Sequence, residues 1–406
     1  MSNTQKKNVP ELRFPEFEGE WEEKQFADFT KINQGLQIAI NERKTEYSPE
    51  LYFYITNEFL RPNSQTKYFI ENPPQSVIAN KEDILMTRTG NTGKVVTNVF
   101  GAFHNNFFKI KFDKNLYDRL FLVEVLNSSK IQNKILSLAG SSTIPDLNHS
   151  DFCSISSSYP LLREQQKIGK FFSKLDRQIE LEEQKLELLQ QQKKGYMQKI
   201  FSQELRFKDE NGEDYPDWKE KKLGDITEQS MYGIGASATR FDSKNIYIRI
   251  TDIDEKSRKL NYQNLTTPDE LNNKYKLKRN DILFARTGAS TGKSYIHKEE
   301  KDIYNYYFAG FLIKFKINEQ NSPLFIYQFT LTSKFNKWVK VMSVRSGQPG
   351  INSEEYAKLP LVLPNKLEQQ KIAKFLDRFD RQIELEKQKI EILQQQKKGL
   401  LQSMFI

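Results

Sequence analysis

Two glycine-rich turns carry residue types that can bind phosphate groups. The clearer turn reads RTGASTGKS, from Arg286 to Ser294. A nucleotide-binding P-loop needs four residues between its first Gly and the Gly-Lys-Ser/Thr, so that successive backbone N–H groups surround the phosphates. This turn has only three, and its counterpart RTGNTGK, from Arg88 to Lys94, has two and is followed by Val95 instead of a hydroxyl residue. The spacing therefore excludes a nucleotide site.

The same residue types suit contacts with DNA phosphates. Arg, Thr and Lys side chains are common donors to phosphate oxygens, and glycines between two predicted strands indicate a tight turn whose backbone approaches another group closely. The net charge of +9 and the pI of about 9.1 favour a polyanionic partner. An ordinary hairpin with solvated basic residues is the alternative explanation for each turn.

Polar, glycine-containing loops accompany the turns, such as NQGLQIAINERK from Asn33 and MYGIGASATR from Met231. Asn, Gln and Arg can pair with base edges through two hydrogen bonds, and Thr can contact thymine methyl groups. Solvated turns use the same residue types without any ligand. The candidate DNA-binding residues are Gln34, Gln37, Arg43, Arg88, Thr89, Asn91, Lys94, Asn105, Asn106, Ser142, Thr143, Tyr232, Ser237, Thr239, Arg240, Arg286, Thr287, Ser290, Lys293, Tyr306, Arg345, Ser346 and Gln348.

Catalytic and metal-binding chemistry has little support in the sequence. The three histidines and the single cysteine, Cys153, show no metal-ligand spacing. The tetrapeptide NPPQ from Asn72 is similar to the Asn-Pro-Pro-aromatic motif of adenine methyltransferases, but Gln75 replaces the aromatic residue that would stack on a flipped base. We therefore expect this chain to have no enzyme activity and to bind no metal or cofactor itself.

The sequence also indicates a soluble protein. The first ten residues are polar, and no apolar run approaches the ~20 residues that cross a bilayer. A single cysteine cannot form an intrachain disulfide. We expect a cytoplasmic location and no membrane partner.

The chain contains a long internal repeat. The segment EQQKIGKFFSKLDRQIELEEQKLELLQQQKKGYMQKIF (164–201) returns as EQQKIAKFLDRFDRQIELEKQKIEILQQQKKGLLQSMF (368–405), with 26 of 38 positions identical at a constant offset of 204 residues. The match extends more weakly upstream, where ELRF occurs at both Glu11 and Glu204. We infer a tandem duplication in which a variable region precedes each conserved segment.

Both conserved segments are predicted to be long helices. Apolar residues recur at alternating spacings of four and three, over 168–200 and 372–404, with interruptions at Glu182 and Lys193 in the first copy, which forms a heptad seam. Gly195 and Gly399 follow paired lysines and could cap the helices, although apolar residues continue beyond them. Thirty-eight helical residues span about 57 Å. One amphipathic helix of that length cannot bury its apolar stripe alone, so we expect the two helices to pair as an antiparallel coiled coil.

Identity between the two helices extends beyond the seam, to DRQIELE and LQQQKKG. A spacer or a homodimer zipper explains a seam, but a seam constrains only about three residues per heptad. We therefore expect both helices to present the same surface to the same kind of partner. The candidate partner-binding residues are Arg177, Glu180, Gln184, Arg381, Glu384 and Gln388.

The variable regions are predicted to have a mixed α/β (α+β) fold. Stretches such as LYFYIT at Leu51 and IYIRIT at Ile246 indicate strands, and Leu116–Leu138 and Leu324–Val341 are predicted to contain short helices. The expected order is a globular domain at 1–160, a long helix at 161–203, a second globular domain at 204–362 and a second long helix at 363–406. The internal repeat implies a pseudo-two-fold arrangement of two tandem globular domains separated by the coiled coil.

This organisation resembles the specificity subunit of type I restriction–modification systems. The resemblance covers nearly the whole chain and depends most on the paired EQQKI helices and on the repeated approaches SSTIPDLNHSDF and SGQPGINSEEYAKL. The RTG…TGK turns resemble the RG-x-x-GK turn common in such subunits, from which they depart by a Thr between Arg and Gly.

The resemblance implies two target recognition domains that each read one half of an asymmetric, bipartite sequence in double-stranded DNA. The coiled coil would set the gap between the half-sites and bind two methyltransferase (M) subunits, which use S-adenosylmethionine to methylate adenine at N6. A restriction (R) motor-nuclease subunit, with ATP and Mg²⁺, would join for cleavage. The alternatives are a coiled-coil scaffold, a stand-alone DNA-binding protein, and a methyltransferase or ATPase; the missing aromatic residue and the short turns count against the last two activities.

Overall fold

The computed structural model describes residues 8–61, 64–140, 143–298, 303–344 and 347–406. It contains two compact units. The first unit consists of Met1–Gln184 together with Lys387–Ile406, and the second unit of Lys185–Glu386. Each unit therefore combines one variable region with parts of both long helices.

The first unit is a mixed α/β structure. Its strands are β1 Glu22–Gln25, β2 Thr30–Gln34, β3 Leu51–Ile55, β4 Tyr68–Glu71, β5 Ile78–Ala79, β6 Ile84–Thr87, β7 Val95–Val96, β8 Gly101–Phe103, β9 Phe107–Phe112 and β10 Ser156–Tyr159. Its helices are α1 Phe26–Phe29, α2 Arg119–Asn127, α3 Ser129–Leu138, α4 His149–Cys153 and the first part of α5 Leu162–Phe201. The strands form two four-stranded sheets, in the orders β2-β9-β6-β7 and β4-β3-β8-β5, and the pair β1-β10.

The second unit repeats this pattern. Its strands are β11 Lys219–Lys222, β12 Thr227–Tyr232, β13 Ala238–Arg240, β14 Asn245–Ile248, β15 Thr266–Pro268, β16 Ile282–Ala285, β17 Ser294–Ile296, β18 Asn305–Phe308, β19 Leu312–Ile317 and β20 Pro360–Leu363. Its helices are α6 Pro323–Phe329, α7 Ser333–Met342, α8 Ser353–Ala357 and most of α9 Lys366–Met404. The sheet order β12-β19-β16-β17 matches β2-β9-β6-β7, and β14 pairs with β18 in parallel as β3 does with β8.

The short helical regions are confirmed, and each is a pair of helices. In the first unit α3 begins after Ser128, whose side chain accepts a hydrogen bond from the Ile131 N–H. In the second unit α7 begins after Thr332, whose side chain accepts from the Phe335 N–H. A side-chain cap of this kind satisfies a backbone donor that the first turn of a helix leaves unpaired, so each cap restarts a helix after a break in direction.

The two long helices are confirmed, and the possible caps Gly195 and Gly399 lie inside them. Helix α5 continues through Gly195 to Phe201, and α9 continues through Gly399 to Met404. Met404 is buried in the core of the first unit and Ile200 in that of the second. Burial of such apolar residues outweighs the cost of a glycine inside a helix, which is only about 1 kcal/mol.

The helices pair in antiparallel directions in the first unit. Lys397 Nζ of α9 lies 2.6 Å from Asp176 Oδ1 of α5, and the Lys389 ammonium bonds the Glu182 carboxylate. As the residue number rises along one helix it falls along the other. The Phe405 ring packs against Phe172, with ring centroids 5.9 Å apart, so the last residues of the chain complete the first hydrophobic core.

The second unit uses the equivalent residues for the same pairing. Lys193 Nζ lies 2.6 Å from Asp380 Oδ1, and Lys185 Nζ lies 2.7 Å from Glu386 Oε2. The predicted antiparallel pairing is therefore confirmed within each unit. Part of the identity in DRQIELE and LQQQKKG follows directly, because the Asp of the first motif and a Lys of the second bond each other.

The repeated ELRF and EQQ motifs also bond each other within each unit. Arg13 donates two hydrogen bonds of 2.7 Å to the buried Glu164 carboxylate, and Arg206 donates two, of 3.2 and 2.8 Å, to Glu368. Gln369 Nε2 donates to the Pro364 carbonyl oxygen at the start of α9. The charge-assisted Arg–Glu bonds hold each ELRF segment against the first turn of the long helix of its unit.

Among the described residues, no helix has both the length and the apolarity needed to cross a membrane.

The buried Glu124 of α2, beside Lys397 of α9, has no acidic counterpart in the second unit. Glu124 Oε2 lies 3.2 Å from Lys397 Nζ, whereas Gln328, at the equivalent position, donates from Nε2 to Asp380 Oδ2 at 2.7 Å. Burial raises the pKa of Glu124 to about 7, although the Lys397 ammonium acts in the opposite direction. The unfolded carboxyl titrates near pH ~4.3, so its contribution to stability is complete below that pH and is lost as the pH rises through 7.

The substitution Glu124→Gln introduces the residue found at the equivalent position of the second unit. We expect the free energy of unfolding of this variant to rise relative to that of the wild type as the pH increases from 5 to 8. The gain should be on the order of 1–3 kcal/mol and is measured by denaturant unfolding at several pH values. Gln328→Glu is the matched control, and its free energy of unfolding should fall relative to that of the wild type over the same pH range. A difference between E124Q and the wild type that stays constant across this range would contradict the assignment.

Candidate nucleic-acid interface

The first turn, Arg88–Lys94, is a hairpin between β6 and β7. The Gly93 N–H donates to the Thr87 carbonyl oxygen at 2.8 Å, and the Lys94 N–H donates to the Thr87 hydroxyl oxygen at 2.9 Å. Gly90 and Gly93 have φ values of +87° and +88°, a region that side chains with a Cβ adopt rarely. The predicted tight turn between two strands is confirmed.

A proline segment, Pro145–Leu147, fixes this turn from the outside. The Gly90 N–H donates to the Pro145 carbonyl oxygen at 3.3 Å, and the Leu147 N–H donates to the Arg88 carbonyl oxygen at 2.9 Å. The Thr92 hydroxyl also donates to Pro145, at 2.7 Å. The turn and the segment Pro145–Leu147 therefore form one interlocked structure, although more than 50 residues separate them in the sequence.

The second turn, Arg286–Lys293, is held in the same way by Pro349–Ile351. The Gly288 N–H donates to the Pro349 carbonyl oxygen at 2.9 Å, and the Ile351 N–H donates to the Arg286 carbonyl oxygen at 2.9 Å. The scaffold of the two turns is thus the same in both units. What differs is the set of side chains that the scaffold presents.

The side chains around the first turn are polar. Gln34 Nε2 donates to the Asn105 carbonyl oxygen at 3.2 Å, and Asn105 Nδ2 donates to Gln37 Oε1 at 2.9 Å. The predicted amide residues from two separate loops therefore lie together. Burial, followed by the Arg43 charge, lowers the pKa of the neighbouring His104 to about 4, so this imidazole is neutral at pH 7. The amide cluster presents both donors and acceptors, as reading of base edges requires.

The side chains around the second turn are aromatic. The Arg286 guanidinium lies 4.9 Å from the centroid of the Tyr232 ring and 6.0 Å from that of Phe311. Both rings are exposed, Tyr232 at 40% and Phe311 at 60%. The Ser353 N–H donates to the Tyr232 hydroxyl oxygen at 3.1 Å, which fixes the ring. Such a surface favours stacking and contact with methyl groups over the amide chemistry of the first unit.

The structure sorts the predicted DNA-binding residues by exposure. The exposed ones are Gln34, Gln37, Asn91, Lys94, Thr143, Tyr232, Ser237, Thr239, Arg240 and Gln348, and the half-buried ones are Arg43, Arg88, Thr89, Asn105, Asn106, Arg286, Thr287 and Ser290. Ser142, Arg345 and Ser346 lie outside the described residues.

Two of the predicted DNA-binding residues, Lys293 and Tyr306, are buried and therefore do not lie on the surface. Lys293 is only 7% exposed, because its Nζ lies 2.6 Å from Glu255 Oε2 and donates to the Ile253 carbonyl oxygen at 3.2 Å. Tyr306 is 4% exposed and packs against His297, with ring centroids 4.6 Å apart. The Arg43 guanidinium reaches the surface only in part, because it donates two hydrogen bonds to the Ile38 carbonyl oxygen.

Three further residues, Asp146, Asn57 and Arg61, which were not predicted from the sequence, lie beside the candidate DNA-binding residues of the first turn. Arg88 Nη2 donates to Asp146 Oδ2 at 2.7 Å, and the Thr89 hydroxyl donates to the other oxygen of that carboxylate. Asn57 and Arg61 line a groove of about 630 Å³ beside Gly90 and Lys94. A signal for Asp146 was present in the repeat, since the acid of TIPDLN stands where the second copy has Gly350.

The predicted partner-binding residues lie on the two long helices, but those of the first unit have different bonding partners from those of the second. In the first unit Arg177 Nη1 lies 2.6 Å from Glu180 Oε2, and Gln184 donates to Glu180 at 3.2 Å. In the second unit Arg381 Nε donates to Asp377 Oδ2 at 2.9 Å, and Glu384 Oε2 lies 2.9 Å from Lys259 Nζ.

The prediction that both helices present the same surface is therefore wrong at Glu384. The physical reason is Lys259, which the globular part of the second unit places against this carboxylate. Gln184 and Gln388 are exposed at equivalent positions, so part of the repeated surface is retained.

Within the described parts of the chain, no cluster of His, Cys, Asp or Glu side chains has an arrangement that could hold a metal ion.

Comparison with known proteins identifies the family. The model of the type I restriction modification DNA specificity domain matches residues 18–191 and 215–395, one copy for each half of the repeat. The chain belongs to this family.

Known members of the family extend the likeness to whole chains. The specificity subunit of the type I restriction enzyme MjaVIII from Methanocaldococcus jannaschii is 26% identical over 97% of this chain and 93% of that protein. The specificity subunit of the HindI enzyme from Haemophilus influenzae is 28% identical over 47% of this chain and 41% of that protein. The crystal structure of a type I restriction–modification S subunit from M. genitalium covers 98% of this chain and 99% of its own, with a TM-score of 0.67 at 17% identity, and so shares the fold.

We expect Gly292→Ala to destabilise the second unit by about 1–3 kcal/mol. Gly292 has a φ of +88°, and an added Cβ would lie 2.5 Å from Val339 Cγ1 on α7. Gly399→Ala is the control, because that glycine lies inside a helix and an added Cβ would have no neighbour within 4 Å. It should stabilise the protein by about 0.5–1 kcal/mol. Equal effects of the two variants in urea unfolding would contradict the packing described for the second turn.

Proposed function

We propose that this chain is the DNA sequence-recognition subunit of a type I restriction–modification complex. Each unit reads one half of an asymmetric, bipartite target in double-stranded DNA. The chain contributes recognition and assembly, and the chemical reactions belong to its partners.

One observation carries this proposal: the two units share a turn and a proline segment but differ in the side chains exposed around them. A shared scaffold favours the same mode of approach to DNA in both units, because phosphate contacts set register independently of sequence. The different side chains favour different bases. The exposed amide groups of Gln34 and Gln37 are of the type that pairs with adenine through two hydrogen bonds, whereas Tyr232 and Phe311 suit contact with thymine methyl groups.

The long helices support the assembly part of the proposal. A helix of 40 residues is about 60 Å long, which exceeds the ~34 Å of one turn of B-DNA. A rod of this length suits a fixed gap between two half-sites. The repeated helix surface favours the binding of two copies of one partner, which we assign as the methyltransferase subunits.

The cofactors belong to these partners in the proposal. S-adenosylmethionine would bind to the methyltransferase subunits, and ATP and Mg²⁺ to the restriction subunits. The names of the relatives, which are subunits of type I restriction enzymes, support this division of roles.

The decisive experiment is to co-express the chain with its methyltransferase subunit and to map N6-methyladenine by single-molecule sequencing. We expect a two-part motif with a fixed unspecified gap, which disappears when this chain is omitted. Exchange of residues 18–191 for the equivalent region of another family member should change one half of the motif and leave the other half intact. Methylation that is independent of this chain, with both proteins expressed, would reject the proposal and favour a coiled-coil scaffold.

We also expect Arg177→Glu and Arg381→Glu to weaken binding of the methyltransferase subunit without loss of folding. Both guanidinium groups are more than half exposed, at 58% and 75%, and reversal of their charge should repel a complementary surface. Lys199→Glu is the matched control, since Lys199 is an exposed helix residue whose counterpart is Ser403. Co-purification of the partner at normal stoichiometry with both Arg variants would exclude these positions from the docking surface.

A further inference from the structure

Each of the two turns carries two cations at equivalent positions, an Arg at its start and a Lys at its end. The turns differ by one residue in length, but the same backbone hydrogen bond closes both. Thr87 and Ala285 donate to the carbonyl oxygens of Lys94 and Lys293, at 3.0 and 2.8 Å. The residues that surround the cations, however, differ between the two turns.

In the first turn the Arg is neutralised and the Lys is not. Arg88 is bonded to Asp146 at 2.7 Å, and its side chain is only 18% exposed. The Lys94 side chain is exposed and lines the groove that also contains Asn57 and Asn91. Within the described ranges, no carboxylate lies within 4.0 Å of the Lys94 ammonium.

In the second turn the assignment is reversed. Lys293 is buried against Glu255, whose carboxylate lies 2.6 Å from its Nζ. Arg286 has no carboxylate within 4.0 Å in the part of the chain that the structure describes, whereas the buried Nε lacks a hydrogen-bond partner there in both Arg88 and Arg286. The residue opposite the second turn is Gly350, where the first unit has Asp146: Thr287 bridges to Gly350 as Thr89 bridges to Asp146.

The surroundings of the two free cations suit an anionic ligand. The Arg286 guanidinium contacts the exposed rings of Tyr232 and Phe311, and such contacts do not neutralise its charge. Lys94 lines the groove together with Asn57, Arg61 and Asn91, whose polar side chains are of the types that donate to phosphate oxygens. A cation already paired with a carboxylate releases few counterions from DNA, whereas an unpaired one contributes fully to the salt dependence of binding.

We propose that Lys94 in the first unit and Arg286 in the second are the phosphate contacts of the two turns, and that Arg88 and Lys293 are positioning residues that hold their turns. The phosphate-binding cation is thus the last residue of the first turn and the first residue of the second turn. Asp146 is the residue that withdraws Arg88 from DNA. This inference rests on the proposed function, in which the turns face DNA.

The test is the salt dependence of DNA binding by the full-length chain in complex with its methyltransferase subunit. The dissociation constant for a labelled duplex is measured by fluorescence anisotropy from 50 to 200 mM salt, on the mapped target and on a scrambled duplex. Each phosphate contact contributes about 0.9 to the slope of log K against log salt. We expect Lys94→Gln and Arg286→Gln each to reduce the slope by about 0.9, equally on both duplexes, and Arg88→Gln and Lys293→Met to leave it unchanged.

Asp146→Asn provides a test that does not depend on the removal of a cation. It is nearly isosteric and releases Arg88, so the slope should increase by about 0.9 and binding at low salt should tighten. The double variant Asp146→Asn with Arg88→Gln should return the slope to that of the wild type. Thermal melting of each variant establishes that the turn is intact.

The outcomes separate this inference from the proposed function. Equal losses of slope in R88Q and R286Q, or an unchanged slope in D146N, would overturn the exchange of roles. A wild-type complex that binds the mapped target and the scrambled duplex equally would overturn the proposed function instead. Even then the slopes on either duplex would decide which cations contact phosphates, because that contribution is independent of sequence.

Discussion

A single amphipathic helix of 40 residues leaves its apolar stripe in water, and the rest of this structure depends on how that stripe is covered. Each unit solves the problem with a second helix that runs in the opposite direction and with the globular region that it packs against. Met404 and Phe405 complete the core of the first unit, whereas Met197 and Ile200 complete that of the second. The ion pairs Lys397–Asp176 and Lys193–Asp380 fix the register of this packing. The pairs are only partly buried, with the Lys side chains 19% and 12% exposed, and they join the same two positions in both units, which are identical in both copies although the variable regions diverged.

The interlocked turn and proline segment explain how the exposed residues could diverge on a constant scaffold. The hydrogen bonds that join them use backbone atoms of Arg88, Gly90, Pro145 and Leu147 and of their counterparts, with a threonine hydroxyl in each unit as an additional donor. Backbone bonds make few demands on the side chains that point to solvent. The first unit could therefore present amides and the second aromatic rings without a change in the path of the chain. This separation of scaffold from surface is what a protein needs when two copies of one domain must bind different sequences.

The sequence was most informative where the physical signal is local or repeated. The heptad spacing of apolar residues predicted both long helices, and the glycines of RTG…TGK predicted tight turns. It was least informative where a distant residue decides the environment. Gly195 and Gly399 were possible caps, but both lie inside helices that continue to buried residues beyond them. Lys293 and Tyr306 belong to polar-looking segments, yet the surrounding fold buries both.

The sequence by itself determined the duplication, the fold class, the pairing of two long helices and the position of the two turns, because each of these follows from spacing along the chain. Only the tertiary structure decided which cation of each turn is paired with a carboxylate and which is left unpaired at the surface. Asp146 lies 58 residues from Arg88, and the segment that carries Glu255 meets Lys293 only through the fold. An ion pair depends on distances of a few ångströms between atoms, and charge interactions of exposed groups fade within about 10 Å at ordinary salt. No spacing in the sequence reports distances of that kind, so two turns with nearly the same letters carry their free cation at opposite ends.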